Sequence, residues 1–265
     1  MHTPAITISR AGVFAARQTM VARVALVTGA SRGIGAATAR RLAKDGLDVA
    51  VNAGSGRAAL ERTAEAVRAL GRRAAVVQAD VARASEVDRM VTEAVGALGR
   101  LDVLVNNAGV YERSSIEETA PADWDRRLAV NLSSCFYAAR AAVPHLRAAG
   151  GGRIVSVSSQ LAFRGTAHGA DYVAAKAGIV GLTRALALEL AKDRILVNAV
   201  APGSIETDIL AGDTPEGRAR RVGAIPLRRV GTPDEVAAAI AFLVGPGGDY
   251  VTGHVLHVNG GSLTW

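Results

Sequence analysis

The sequence holds a single cysteine, Cys135, among its 265 residues. That excludes an intrachain disulfide framework and any all-cysteine metal site. Aromatic residues make up only 4%, which argues against a repeated stacking platform for single-stranded nucleic acid. No apolar run is long enough to cross a bilayer, so no membrane partner is expected. The first 20 residues lack the apolar block of a secretory signal. They read as a disordered tail or as a start assigned too early, with Met20 just before the first strand-like run. Residues 21–265 then form the domain, and a cytoplasmic location is expected.

Acids are absent from the first 44 residues, where Arg10, Arg17, Arg23, Arg32, Arg40, Arg41 and Lys44 stand unopposed. These account for the whole net charge of +7, and the rest of the chain is balanced. A nucleic-acid binder carries its excess on a stripe of the folded surface. Here the excess sits in the tail and the first strand–helix unit, so the expected polyanion is a cofactor phosphate and no nucleic-acid partner is expected. Hydrophobic residues at 49% and charged residues at 21% describe a globular chain large enough to bury its own core.

From Met20 onward, short apolar runs alternate with amphipathic stretches. Strands are expected at 23–28, 48–52, 74–78, 101–105, 153–158, 195–199 and 254–258. Helices are expected at 33–44, 57–70, 85–98, 121–148, 170–191 and 233–244, with Pro144 limiting or kinking the end of the fourth. Strands alternating with helices imply right-handed crossovers and a parallel sheet covered on both faces. The fold class is therefore α/β, one doubly wound Rossmann-type domain.

Thr28-Gly29-Ala30-Ser31-Arg32-Gly33-Ile34-Gly35 joins the first strand to the first helix. Glycines let backbone approach a ligand closely, and the following helix aims free N–H groups at the loop. The pattern G-x-x-x-G-x-G is not the common G-x-G-x-x-G fingerprint, and no Walker lysine is present. Further along stand Asp80 after strand three, Asn106-Asn107-Ala108-Gly109 after strand four, Tyr172-x-x-x-Lys176, and Pro202-Gly203 followed by Ile205-Glu206-Thr207. In this order, from about Val24 to Gly261, the chain resembles the classical short-chain dehydrogenase/reductase family, closest in pattern to the 3-oxoacyl-acyl-carrier-protein reductases. The resemblance implies cofactor contacts from Gly29, Ser31, Arg32, Gly33, Ile34, Gly35, Asp80, Val81, Asn107, Ala108, Gly109, Pro202, Gly203, Ile205 and Thr207, with Tyr172 and Lys176 also touching the cofactor.

An acid near the end of strand two would hold the ribose 2′-hydroxyl of NAD. That region reads Val51-Asn52-Ala53-Gly54-Ser55-Gly56-Arg57, with no acid before Glu61. Arg32 stands where NADP-using relatives carry a basic residue, Arg57 is a second candidate, and Asn52 and Ser55 are candidate donors. NADP(H) is therefore expected over NAD(H).

Tyr172 and Lys176 share one helix face at i and i+4. Only three of the 31 basic residues are lysines, so a lysine at this position carries weight. An ammonium beside a phenol favours the phenolate and lowers the phenol pKa from about 10. The resemblance implies that Tyr172 exchanges the proton with the substrate oxygen and that Lys176 also holds the nicotinamide ribose. It makes Ser159 the serine that orients the carbonyl, with Ser158 and Ser156 as alternative registrations, and Asn131 the residue holding a relay water. No metal is expected: His254 and His257, at spacing three on a strand, should face opposite ways. Cys135 reads as packing, and His168 as solvent-facing or substrate-lining.

These readings describe an NADPH-dependent reductase converting a ketone to a secondary alcohol, with a 3-oxoacyl thioester as the leading substrate. A small free ketone, sugar or secondary alcohol is the alternative, and a non-catalytic cofactor or nucleic-acid binder the remote one. Docking of a carrier protein is in question because the family's basic positions are Gly150 and Asp193 here, with Arg147, Arg153 and Arg194 nearby. The cluster Arg218, Arg220, Arg221, Arg228 and Arg229 reads either as a solvated face or as a contact for an anionic substrate. The resemblance also implies a homotetramer built on the helices around 124–148 and 170–191.

Overall fold

The structure, a computed structural model, describes residues 22–210 and 212–264. The tail read at 1–20 lies outside the described residues. In chain order the elements are β1 (Val24–Val27), α1 (Gly33–Lys44), β2 (Asp48–Ala53), α2 (Arg57–Ala69), β3 (Ala74–Gln78), α3 (Ala84–Leu98) and β4 (Val103–Asn106). Then come α4 (Pro121–Leu128), α5 (Ser134–Ala148), β5 (Gly152–Val157), α6 (Leu161–Arg164), α7 (Ala170–Leu190), β6 (Ile195–Pro202), α8 (Pro215–Gly223), α9 (Pro233–Val244) and β7 (Val255–Val258).

The seven strands form one parallel sheet in the order β3-β2-β1-β4-β5-β6-β7. Alternation along β1 divides the core. Ala25 and Val27 pack with Leu42, Leu60 and Ile240 on the α1–α2–α9 face. Val24 and Leu26 pack with Met90, Leu146 and Leu190 on the α3–α5–α7 face. The strand period of two thus sends successive residues into opposite layers. Two buried acids fasten the strand starts. Asp102 accepts the Val24 N–H at 2.8 Å and is gripped by Arg100. Asp48 accepts from the Arg73 backbone and side chain and pairs with Arg72.

The order reverses at β1, whose neighbours are β2 and β4. Loops leaving the carboxyl ends of β1 and β4 therefore diverge and leave a crevice, the usual ligand position in such sheets. Helix α9 begins where Thr232-Pro233-Asp234-Glu235 supplies a capping box: Thr232 Oγ1 accepts from Glu235 N at 3.3 Å, and Glu235 accepts the Thr232 N–H at 2.8 Å.

Three local expectations are corrected. The region 121–148 is not one regular helix, because a π-helical turn over Ala129–Ser133 separates α4 from α5. Pro144 lies inside α5, which continues to Ala148, so the irregularity falls at Asn131 and not at the proline. β6 runs on to Pro202, well past Ala199, because its later residues stay buried and pair with β7. The short helices α6 and α8 were not foreseen.

Candidate active site

The glycine loop and the loop after β4 are built as one piece. Gly29 has φ +63°, and a Cβ there would lie 2.8 Å from Ala108 Cα; one on Gly35 would lie 2.2 Å from the Gly29 carbonyl oxygen. The buried Thr28 hydroxyl accepts the N–H groups of Asn107 and Ala108 at 3.0 and 3.1 Å. Asn107 returns its amide to the carbonyls of Thr28 and Gly29, both at 3.0 Å. The result is a backbone cradle at the amino end of α1, with no side chain between the chain and a ligand. Thr207 closes it from the far side, its Cγ2 3.4 Å from a Cβ built on Gly33. Ser31, Arg32, Gly33 and Thr207 line a cavity of about 390 Å³.

Arg32 is largely exposed and pairs with Asp208 at 3.0 Å. Ser55 lies exposed past the end of β2, and the half-buried Asp80 accepts from Ala82 N. Arg57, also exposed, pairs with Glu61. Asn52 sits differently from its expected part. It is fully buried, and its amide donates to the carbonyls of Val77 and Ala79 at 3.1 and 3.2 Å. Its donors are already engaged in bracing β2, so none is left for a ribose phosphate.

Next to this cradle lie the residues with proton chemistry. Ser159 faces the Tyr172 hydroxyl and draws its pKa down, and the Ser159 Oγ accepts the Leu161 N–H at 3.1 Å. The alternatives are otherwise engaged: Ser158 donates to the Lys176 carbonyl at 2.8 Å, and Ser156 accepts from Asn106. Lys176 is buried and donates to the Val157 carbonyl at 2.8 Å. Gly109 leaves room there, since a Cβ on it would lie 3.5 Å from Lys176 Nζ and 2.8 Å from Asn131 Oδ1.

Burial pushes the Tyr172 phenol up to about 12, with the Ser159 hydrogen bond pulling down and Tyr111 adding to the rise. Burial pushes the Lys176 ammonium down to about 8. The expected lowering of the phenol by the lysine is therefore not the dominant effect. Desolvation is the leading cause of both shifts.

Asn131, fully buried in the π-helical turn, accepts from Val110 N at 3.1 Å and donates to the carbonyls of Val110 and Arg127. Both hydrogens of its side-chain amide are therefore engaged, so that amide has no donor left for a water.

The histidines do not behave as expected. His254 precedes β7, so strand alternation does not separate it from His257, and both border a cavity of about 530 Å³ with Phe163 and Arg184. The His257 ring lies against Phe163 at 4.8 Å. Tyr172 and Lys176 are not part of that cavity. Among the described residues, no group of three or more His, Cys, Asp or Glu is placed to hold a metal. Most of the arginine cluster after β6 is paired: Arg218 with Glu206, Arg221 with Asp213, and Arg229 with Glu235. His168 is exposed, and Cys135 is buried with its thiol pushed up by desolvation.

Sequence reasoning missed Thr28, Tyr111, Arg127 and Asp171. Thr28 was visible as a hydroxyl directly before the first glycine. The other three carry no motif: Asp171 directly precedes Tyr172, and only the fold brings Tyr111 and Arg127 to that pair.

Comparisons with known proteins match nearly the whole chain to one family. A family model described as enoyl-(acyl carrier protein) reductase matches residues 29–262. A 3-oxoacyl-[acyl-carrier-protein] reductase of Staphylococcus aureus is 41% identical over 237 residues, covering 89% of this chain and 96% of the relative. A short-chain dehydrogenase from Burkholderia cenocepacia, crystallised with NADP, is 41% identical with a TM-score of 0.86, covering 91% of this chain and 97% of that one. A blue fluorescent protein from a metagenomic library, crystallised with NADPH, is 39% identical with a TM-score of 0.85, covering 91% and 98%.

Proposed function

The chain belongs to the short-chain dehydrogenase/reductase family and is an oxidoreductase; on that premise we propose that it reduces a ketone to a secondary alcohol with NADPH. The observation that carries the proposal is Ser159 set against the Tyr172 hydroxyl with Lys176 one helical turn away, beside the glycine cradle.

The cradle fits a dinucleotide, because glycines at 29 and 35 let the loop pack directly on Asn107 and Ala108 and leave the amino end of α1 free to face a pyrophosphate. Gly29, Ser31, Arg32, Gly33, Ile34 and Gly35 would hold the pyrophosphate end, and Asp80 and Val81 the adenosine end. Asn107, Ala108, Gly109, Pro202, Gly203, Ile205 and Thr207 would border the nicotinamide end. NADP(H) over NAD(H) is supported by the missing acid after β2, by the exposed Arg32, and by relatives crystallised with NADP or NADPH. The bound nicotinamide supplies the hydride.

The chain's own residues do the rest. Ser159 donates a hydrogen bond to the carbonyl oxygen and fixes its direction. Tyr172 gives that oxygen its proton as negative charge develops. A phenol held near 12 stays protonated at neutral pH and so is present as the acid. Lys176, held by the Val157 carbonyl, would keep positive charge behind the phenol and would hold the nicotinamide ribose of a bound cofactor.

The leading substrate is a 3-oxoacyl thioester, supported by the Staphylococcus relative. A small free ketone or sugar is favoured by one specific observation. The arginines that stand in for the carrier-docking positions are partly engaged, Arg147 with Asp193 and Arg153 with Asp249. The same reading takes the protein as a cytoplasmic homotetramer, consistent with the exposed Phe136 and Leu188 on α5 and α7. The test is an NADPH-oxidation screen over acetoacetyl thioesters, quinones, sugars and simple ketones. Turnover of the thioester is expected; turnover confined to other ketones removes the thioester, and turnover of none overturns the function.

A further inference from the structure

Arg127 lies on the last turn of α4, two residues before the π-helical turn begins, with its side chain only 7% exposed. Its guanidinium joins separate parts of the chain around Tyr172. Nη1 lies 2.6 Å from Asp171 Oδ2 and 2.9 Å from Ser114 Oγ, and Nη2 lies 2.8 Å from Glu112 Oε2. Asp171 is itself buried in the first turn of α7, and its other oxygen accepts the Tyr172 N–H at 2.6 Å. The Arg127 carbonyl accepts from Asn131, and Asn131 grips both backbone groups of Val110. Glu112 and Val110, on either side of Tyr111, are thus fastened to α4 and to the π-helical turn that follows it. The Tyr111 ring in turn stands 4.8 Å from the Tyr172 ring, tilted by 60°.

Stability alone does not account for this arrangement. A buried ion pair often contributes no more than well-packed apolar residues of similar volume, and the buried Nε of Arg127 has no partner. What a planar guanidinium does that an apolar side chain or a lysine cannot is set several distances at once.

We propose that Arg127 is a positioning residue. Through Asp171 on one side and Glu112 and Ser114 on the other, it fixes the separation between Tyr172 and the segment bearing Tyr111. The Tyr111 ring then forms one wall of the space where a carbonyl meets the phenol, and ketones are selected there by bulk. The inference rests on the reading of Tyr172 as the proton donor.

The test compares wild type with Arg127→Met/Asp171→Asn, Arg127→Lys and Glu112→Gln, using a compact methyl ketone and a bulky aryl ketone. The double variant leaves no uncompensated buried charge, so it is expected to fold. Its kcat for the compact ketone should fall about 100-fold, the cost of a misplacement of about 1 Å, while the NADPH dissociation constant stays where it was. Its preference for the compact over the bulky ketone should weaken about tenfold. Glu112→Gln, at a half-exposed arm, should weaken the preference less. Arg127→Lys should restore thermal stability but not selectivity. A folded double variant with unchanged kcat and selectivity overturns the proposal, and so does full restoration of selectivity by lysine, which would make charge alone sufficient. Hydrogen exchange reads the tie without turnover: amides 110–115 should lose protection in the double variant while α7 keeps it. If wild type reduces no ketone, the proposed function falls, yet exchange still decides the tie; unchanged protection at 110–115 refutes it.

Discussion

Lys176 Nζ lies 5.5 Å from the centre of the Tyr172 ring and donates its hydrogen bond to the Val157 carbonyl 2.8 Å away. Two ionisable groups thus share one enclosed corner, and burial drives both toward their neutral forms. The phenol rises to about 12 and the ammonium falls to about 8.

The lysine has a consequence for stability. Unfolded, its pKa is about 10.4; folded, it is about 8. Between these values the unfolded state binds more protons, so stability rises with pH. Below about 8 the cost of burying the charge is present in full. Lys176→Met should therefore melt above wild type at pH 7 in cofactor-free protein, and the gap should close as pH approaches 10. Thermal midpoints from pH 6 to 10 check this. A gap that does not narrow with pH removes the lysine as its cause.

The two adjacent serines should separate cleanly. Ser159→Ala should lower kcat about 100-fold, the scale for losing one donor to a developing oxyanion, with little change in melting. Ser158→Ala removes a buried bond to the Lys176 carbonyl and should cost about 1 kcal/mol of stability. Steady-state kinetics and urea denaturation of both variants are the check; a larger kinetic loss at Ser158 would reverse the assignment.

Cofactor choice should turn on Arg32. Its pairing with Asp208 is exposed and so contributes little to folding. Arg32→Ala should weaken NADPH binding about tenfold, on the order of one charge-assisted hydrogen bond, and leave NADH unaffected. Fluorescence titration with each cofactor measures it. Equal losses for both would mean that Arg32 does not read the 2′-phosphate.

Much of the fold was legible because its signals are local. Val24–Val27 is a short apolar run closed by Thr28 and Gly29, and Thr232-Pro233-Asp234-Glu235 spells a helix start, so both elements fall where the pattern puts them. The π-helical turn at Ala129–Ser133 was not legible, since it is tied to contacts of Asn131 with Val110, 21 residues away. Site residues divide in the same way. Tyr172, Lys176 and the glycines stand in short motifs. Asn52 looked like a donor because its place after β2 is visible, whereas the β3 carbonyls that use its amide are not. Arg127 and Asp171 lie 44 residues apart and become neighbours only when α4 packs on α7. His254 and His257 misled in the opposite direction, because strand alternation was applied to a residue standing just before its strand.

The central claim is that the Tyr172 phenol supplies the proton for ketone reduction. Its most direct test is NADPH-dependent reduction of acetoacetyl thioester by wild type and Tyr172→Phe, with NADPH binding titrated in parallel. Losing a positioned general acid costs on the order of 100- to 10,000-fold, so Tyr172→Phe should bind NADPH as wild type does and lose nearly all turnover. Turnover within a few-fold of wild type, with binding intact, would contradict the account.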